Sequence, residues 1–502
     1  MILISPSGDR RKKLGPFAKY VPLSVPYGIG ALAGYLHSRG KSATIIDEEV
    51  EIVTPDLLRN KIRQLEKPYI FGISCLTASI GRGMEIASMI RSDTILRDSK
   101  IVFGGIHPTV MPEETLQLGL ADIVVRNEGE IILDKLYDKI KNGVSYHAVP
   151  GISYVDNGLT KHNPSGEVVD LDSLPSFPYD LFYQYSKKYS LGFITSSRGC
   201  PYECIFCSNR MIAGRFYRFR CPEVVVEEIY YLHRKRGYQY ITFQDDNFLA
   251  NKKRVKLLCE LILKKFSPGL QFDCQARADN LDSELLALMR RTGFRLMHVG
   301  IECANDRLLK LVNKNESLDQ ITRGIGLLKD HGFQVSGTFI LGLPSETRED
   351  RKAAYELAND LNLDYVRFNN ATPYPGTKLY EMAQTAGRFN PGKNWENLNA
   401  CGSLSESPFS PSRLSFVPDG VSETELRNDI IKFNLMFSLK PRRLFKLLSN
   451  RVGPAGWFEL PERWFLKPEE WFNLVRLGVT IGVNFLLLLL RLTRSRIQSF
   501  FS

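Results

Sequence analysis

Short apolar runs alternate with helix-length segments along most of this chain, and that rhythm constrains the fold more than any other feature. In the first third the runs fall at residues 2–4, 43–46, 69–74, 101–103 and 123–125. Segments 28–36 and 83–90 between them carry helical periodicity. A spacing of roughly 20–30 residues indicates βαβ units and a parallel sheet. The expected fold is α/β, with an N-terminal doubly wound, Rossmann-like domain over 1–145 that takes its ligand at the carboxyl ends of the strands. The rhythm resumes at residue 191, with candidate strands at 193–195, 240–243, 271–274, 297–300, 336–341 and 365–368. Six βα units over 191–400 suit a partial barrel, whose chemistry collects at the C-terminal strand ends. Residues 146–190 are rich in Gly, Pro, Ser and Tyr and read as a linker, with a short strand near 151–155.

Composition supports this reading. A chain of 502 residues is expected to hold two or three domains, and 43% hydrophobic with 24% charged residues describes a folded protein. Residues 1–6 have no basic stretch before their apolar run, so they read as a first strand rather than a signal peptide. The net charge of +11 allows nucleic acid, anionic lipid or a generally basic enzyme.

Three of the nine cysteines stand together: Cys200, Cys204 and Cys207, a CxxxCxxC. Three thiolates on one tight loop suit three irons of a [4Fe–4S] cluster and leave the fourth iron open for chemistry. Zinc is the rival, but it prefers paired CxxC or Cys/His sets, and no histidine lies near. The remaining cysteines are scattered singly, which is no disulfide framework and points to a reducing cytosol.

The loop resembles the cluster loop of the radical S-adenosylmethionine (SAM) superfamily, and the six βα units resemble its partial barrel. The resemblance implies that the open iron chelates the amino and carboxylate groups of SAM, and that reductive C–S cleavage gives a 5′-deoxyadenosyl radical. It places Phe206 near the adenine, Asp246 on the amino group and Arg277 on the carboxylate. Glu302 then meets the ribose or methionine moiety, and Gly337 and Gly342 allow adenine to approach. Read without the resemblance, Asp245 and Asp246 would cap the next helix, Arg277 would pair with Asp279 at the surface, and Glu302 would satisfy backbone donors. Tyr374 would face substrate or plug the barrel mouth. The basic stretch 210–220 would contact an acidic substrate, screen the cluster or stand in solvent.

The loops Gly104-Gly105-Ile106-His107-Pro108-Thr109 and Arg126-Asn127-Glu128-Gly129-Glu130 follow the fourth and fifth strands. With residues 27–33 they resemble the cobalamin-binding domain fused to many radical SAM enzymes. That resemblance implies cobalamin contacts at Gly104, Gly105, His107, Glu128 and Gly129. No histidine stands in a DxHxxG motif, so cobalt would be bound without that ligand. No GxGxxG follows the first strand, which argues against a dinucleotide.

The resemblance implies a cobalamin-dependent radical SAM methyltransferase acting on an unactivated carbon of a small or lipid-like substrate. Its cofactors would be a [4Fe–4S] cluster, SAM and cobalamin, with a flavodoxin or ferredoxin as electron donor. The alternative on the same scaffold is anaerobic oxidative cyclisation, or another radical rearrangement, of a tetrapyrrole or isoprenoid. An iron–sulfur protein that binds or modifies RNA is a reading of another class, but no RNA-binding motif is appended and no nucleic acid is expected.

Residues 401–502 break the rhythm and read as a mostly helical extension. A helix is expected over 422–439, with Ser422 as N-cap and Glu425 as its box partner. Trp-Phe pairs follow at Trp457, Trp464 and Trp471. Residues 477–490 are uncharged, shorter than the roughly 20 residues of a spanning helix, and followed by Arg491, Arg494 and Arg496. Segment 457–496 therefore suits a cytoplasmic enzyme held peripherally on the cytoplasmic face of a membrane. The alternatives are a core helix or an oligomer contact.

Overall fold

The computed structural model describes residues 1–8, 23–185, 188–214, 216–400, 413–441 and 443. Its first sheet is parallel over β1 (Ile2–Ser5), β2 (Thr44–Asp47), β3 (Ile70–Ser74), β4 (Lys100–Gly104) and β5 (Ile123–Val125), in the order β2-β1-β3-β4-β5. The order reverses between β1 and β3, which marks the ligand crevice of a doubly wound sheet. Strand alternation supplies the two apolar faces. Ile2, Ile4, Phe71 and Phe103 pack against α2 (Pro55–Ile62) and α3 (Ile80–Ser92). Leu3, Ile70, Val102 and Ile123 pack against α1 (Tyr27–Ser38) and α4 (Glu130–Lys141).

The sheet runs further than the sequence pattern indicates. β6 (Ile152–Asp156), the short strand expected near 151–155, pairs with an unexpected β7 (Leu159–His162) in an antiparallel hairpin on the β5 edge, within the stretch read as a linker. Asn157 and Gly158 turn it with φ of 50° and 76°, the geometry of a tight two-residue hairpin loop. The hairpin covers backbone that β5 would otherwise expose.

The second sheet is parallel in chain order: β8 (Phe193–Ile194), β9 (Tyr240–Phe243), β10 (Gln271–Ala276), β11 (Phe294–Glu302), β12 (Gln334–Leu341) and β13 (Tyr365–Asn370). It is the partial barrel. Helices α5 (Pro222–Tyr230), α6 (Lys252–Lys265), α7 (Ser283–Thr292), α8 (Leu318–Asp330) and α9 (Arg348–Asp360) alternate with its strands. The two domains are joined where Leu23–Ser24 pairs with Tyr189–Ser190, and Tyr189 donates to Asp47 Oδ2 at 2.6 Å.

The open β13 edge is covered by α10 (Glu423–Ser438). Asn434 accepts the Phe368 N–H at 3.1 Å and donates to the Phe368 carbonyl at 2.9 Å, so a side chain replaces a missing strand. Ser422 caps α10 by accepting the Glu425 N–H. The Glu425 carboxylate does not close a capping box. It accepts from Arg351, which is fully buried and also paired with Asp429, because leaving that guanidinium unpaired would cost more than the cap gains. The Trp-Phe pairs and the apolar segment 477–490 lie outside the described residues. Among the described residues no helix is long and apolar enough to cross a membrane.

The turn after β12 gives a pH prediction. Burial pushes the Glu346 carboxyl up to about 8, from 4.5, although it accepts the Gly342 N–H. Between those values the folded chain holds a proton that the unfolded chain has released, so stability falls as pH rises through that window. Glu346→Gln is expected to remove the fall. Its unfolding free energy from urea titration should match wild type near pH 5 and exceed it at pH 8.5 by on the order of a few kcal/mol, with the midpoint shifting accordingly. Parallel midpoints at both pH values would refute the assignment.

Candidate active site

The cluster loop leaves β8 and is held from beneath by two adjacent acids. Asp245, fully buried, accepts the Ser196 N–H at 2.7 Å, the Ser197 N–H at 2.6 Å and the Ser196 hydroxyl at 2.5 Å. Asp246 laces the loop across its base: it accepts the Gly199 N–H at 3.2 Å and the Asn209 amide at 2.6 Å. Those residues flank Cys200 and Cys207. Neither acid caps the following helix, which Asn251 does instead. Gly199 has φ +84°, and a Cβ there would lie 2.4 Å from the Phe216 carbonyl oxygen, so only glycine fits.

The span between the second and third cysteines is equally fixed. Ile205 donates to the Val312 carbonyl at 3.1 Å and accepts from the Leu379 N–H at 3.0 Å. Phe206 packs partly buried against the barrel core. All three thiols are free and partly buried. Among the described residues no three His, Cys, Asp or Glu side chains meet around a single ion. A cluster binds each thiolate at a different iron, and three free thiols on one pinned, histidine-free loop fit that group.

Charged groups crowd the same barrel mouth. Burial pushes the Cys204 thiol up, while Lys314 and Arg277 pull it back. Burial pushes Cys207 to about 11. Lys314 lies 3.5 Å from both Glu302 and Glu316. Arg277 stacks over the Tyr202 ring at 3.6 Å and pairs with Asp279 at 3.0 Å and Glu316 at 3.3 Å. The Arg277–Asp279 pair exists, but it is buried rather than at the surface. Glu302 takes a left-handed φ of 67° and faces Lys314 instead of backbone donors. Burial raises its carboxyl against the pull of Lys314.

Two expected adenine contacts have packing tasks. A Cβ at Gly337 would meet Leu363 at 2.6 Å and Ile301 at 2.9 Å, on the core side of β12. A Cβ at Gly342 would meet Leu426 of α10 at 2.6 Å. Tyr374 is partly buried beyond β13, and its carbonyl accepts from Thr377.

The loops of the first domain meet the cluster segment. Asn127 donates to the Met211 carbonyl at 2.9 Å. A Cβ at Gly376 would fall 2.9 Å from Val110 and 3.2 Å from Met211, so three loops converge there. Gly105 has φ +91°, and a Cβ would strike the Cys75 backbone at 2.7 Å. Gly104 ends β4 with room for ordinary contact, and Gly129 backs onto Leu32. His107 is fully buried, its Nε2 lies 3.7 Å from Glu114 Oε1, and its ring meets Trp395 edge-on at 5.4 Å. Glycine loops with a buried imidazole at a sheet's carboxyl end fit a cobalamin cradle.

Glu128 differs from the expectation. Its oxygens are taken by Arg198 at 2.9 Å and Arg218 at 2.8 Å, while Glu130 takes Arg198 at 2.7 Å. Burial works to raise Glu128, but the two guanidiniums outweigh it and hold the carboxyl below its usual range. The acid clamps the first domain to the strand that enters the cluster loop.

Residues 194–358 match the sequence profile of the Radical SAM superfamily, and residues 17–136 match the B12 binding domain. The chain is 32% identical over 363 residues to an uncharacterized methyltransferase of Pyrococcus horikoshii, across 71% of this chain and 78% of that protein. The chain belongs to the B12-binding radical SAM enzymes. A [4Fe–4S] cluster, SAM and cobalamin are the cofactors of this radical SAM enzyme. An anaerobic magnesium-protoporphyrin IX monomethyl ester cyclase of Rubrivivax gelatinosus is 30% identical over 71% of this chain and 66% of its own length. The fold is shared with the radical SAM methyltransferase TsrM of Kitasatospora setae, solved with tryptophan and a SAM analogue. There the TM-score is 0.69 at 19% identity, over 88% of this chain and 89% of that one.

Arg198, Asn127, Lys314 and Glu316 were not found by sequence reasoning. Arg198 and Asn127 act through partners about 70 and 84 residues away, and Lys314 and Glu316 reach Glu302 and Arg277 across strands, pairs that no short motif marks.

Proposed function

We propose that this enzyme transfers a methyl group to an unactivated carbon of a small molecule. The observation that carries the reading is the contact between the loops after β4 and β5 and the segment following the cluster cysteines. When bound, the cluster and SAM supply a radical source, and cobalamin supplies the methyl group. The chain's own residues position these groups. Asp245 and Asp246 hold the thiolate loop. Arg277, Lys314 and Glu302 are suited to the amino-acid end of SAM, and His107 with Gly104, Gly105 and Gly129 to the corrin. Glu128 and Glu130 fix the separation through Arg198. A one-electron donor of the flavodoxin or ferredoxin class would reduce the cluster.

The likeness to the cyclase favours a second reading, oxidative ring closure. The test uses the full chain reconstituted with iron, sulfide and cobalamin, then given reductant and SAM carrying a deuterated methyl group. Methyl transfer predicts 5′-deoxyadenosine together with label in the corrinoid. Cyclisation predicts 5′-deoxyadenosine without label. Absence of both overturns each reading.

The arginine-flanked segment ending in five leucines supports attachment to an anionic membrane surface. The full chain is expected to float with phosphatidylglycerol vesicles, and removal of 457–502 to abolish flotation. Unchanged flotation would assign that segment to a core or a partner.

A further inference from the structure

Beyond β13 a short helix, Lys378–Ala383, returns to the cluster loop, where Leu379 donates to the Ile205 carbonyl at 3.0 Å. The strand Arg388–Phe389 then pairs antiparallel with Phe416–Val417. From it projects a compact loop, residues 390–399, tied by its own side chains. Asn390 accepts the Gly392 N–H at 3.2 Å, and the Glu396 carboxylate accepts the Lys393 and Asn394 N–H groups at 3.1 and 2.7 Å. A loop ordered by its own hydrogen bonds loses little further entropy when it docks.

Trp395 stands on this loop with a left-handed φ of 64°, a conformation that a bulky side chain keeps only where its surroundings over-determine it. Those surroundings belong largely to the first domain. The indole N–H donates to Glu114 Oε1 at 2.7 Å, and the ring packs against the core of the first sheet as well as His107. Asn394 covers Gly81, where a Cβ would lie 2.7 Å from it. On the barrel side the indole centroid lies 6.2 Å from that of Tyr380, the residue after Leu379. Glu114 and His107 lie on the two short helices, Pro112–Gln117 and Ile106–Val110, that follow the Gly104-Gly105 turn. Burial works to raise the Glu114 carboxyl, but His107 and the indole outweigh it and hold the carboxyl below its usual range, so the indole meets a charged acceptor. The same segment is held elsewhere by Thr109, whose hydroxyl accepts the Asn127 N–H at 3.0 Å, and by Glu113, which His162 of β7 meets at 2.8 Å.

We infer that residues 390–399 are a strap that fixes the cobalamin loop from outside its domain, and that Trp395 is a positioning residue for cobalamin, acting through Glu114 and His107 on the Gly104-Gly105 turn. The inference rests on the placement of cobalamin at those glycines. It makes the corrin's affinity depend on a residue far beyond the B12 binding domain of residues 17–136. The strap also refers both cofactor loops to one helix: the Leu379 backbone holds the cluster loop, and the next ring, Tyr380, backs the indole. A hydrogen bond to a charged acceptor holds direction more strictly than a ring contact. Removing the indole N–H should therefore loosen the turn although an aromatic ring still fills the space.

The test uses the full chain with its cluster in place, dialysed to equilibrium against hydroxocobalamin, with bound corrinoid read from its absorbance. Trp395→Phe is expected to weaken binding by roughly tenfold, while iron content and the urea midpoint of the metal-free chain hardly move. Glu114→Ala, at a partly exposed position where folding is not at stake, is expected to do the same. Glu114→Gln should stay within about threefold of wild type, because its amide oxygen still accepts from the indole. The double variant Trp395→Phe, Glu114→Ala should bind no worse than either single variant, since both remove one interaction. Unchanged binding in the two single variants overturns the inference, as do losses that multiply in the double variant. A fall in iron content or urea midpoint that tracks the fall in affinity also overturns it, since Trp395 would then serve the fold alone. Gly105→Val tests the underlying placement separately. If that variant binds hydroxocobalamin as wild type does, or if wild type binds none, the assignment of the glycine turn has failed, whatever Trp395 does.

Discussion

Cys204→Ala is expected to abolish reductive cleavage of SAM, with the rate falling by at least about a thousandfold. The variant should still fold. The backbone around the cysteine is held independently of its sulfur: Ile205 bonds to Val312 and Leu379, and Asn313 bonds to the Glu203 carbonyl at 2.8 Å. Losing one partly buried sulfur costs about 1 kcal/mol, small against the stability of a domain. The loss therefore falls on the chemistry. With two thiolates the loop cannot hold three irons and leave the fourth open. Iron content, cluster absorbance and 5′-deoxyadenosine should fall together while the urea midpoint of the metal-free chain hardly moves. A variant that still cleaves SAM within tenfold of wild type would refute the assignment of the loop.

The cysteine trio was legible because its members lie within eight consecutive residues. So were most strands, whose alternating side chains must cover two apolar faces in the first domain and one in the barrel. What the sequence hid depends on distance along the chain. Glu128 stands in a loop of the cobalamin-binding pattern, yet its partners Arg198 and Arg218 lie 70 and 90 residues away, and only docking of the domains creates the pair. Of the β6–β7 hairpin only the first strand was legible, because the Gly, Pro and Ser of this stretch mark a turn as readily as a linker. Glu425 occupies the right place for a capping box, but buried Arg351 competes for it and wins. Gly337 and Gly342 show a further limit. A motif predicts glycine for ligand approach, whereas here each glycine also lies against a neighbouring apolar side chain.

Asp245→Ala should be the most destabilising of these substitutions, by about 3–5 kcal/mol. Two backbone N–H groups, of Ser196 and Ser197, would lose their acceptor in a site with no solvent. Each orphaned donor costs about 1–3 kcal/mol. Arg254, also buried and 4.0 Å from the carboxylate, would lose its compensating charge. Asp245→Asn keeps one acceptor and loses the charge, so its cost should be smaller, about 1–2 kcal/mol. The order Ala worse than Asn is expected in urea midpoints of the metal-free chain. It is expected again in iron uptake, because Ser196 and Ser197 lead directly into the loop that carries Cys200. Asp246→Ala should separate the two effects. Asp246 holds Gly199 and Asn209 from a less enclosed position, so its loss should lower iron uptake more than it lowers stability. Equal losses of stability from Asp245→Ala and Asp246→Ala would mean that the loop is not anchored through the deeper acid, and that its geometry is set instead by the Ile205 contacts.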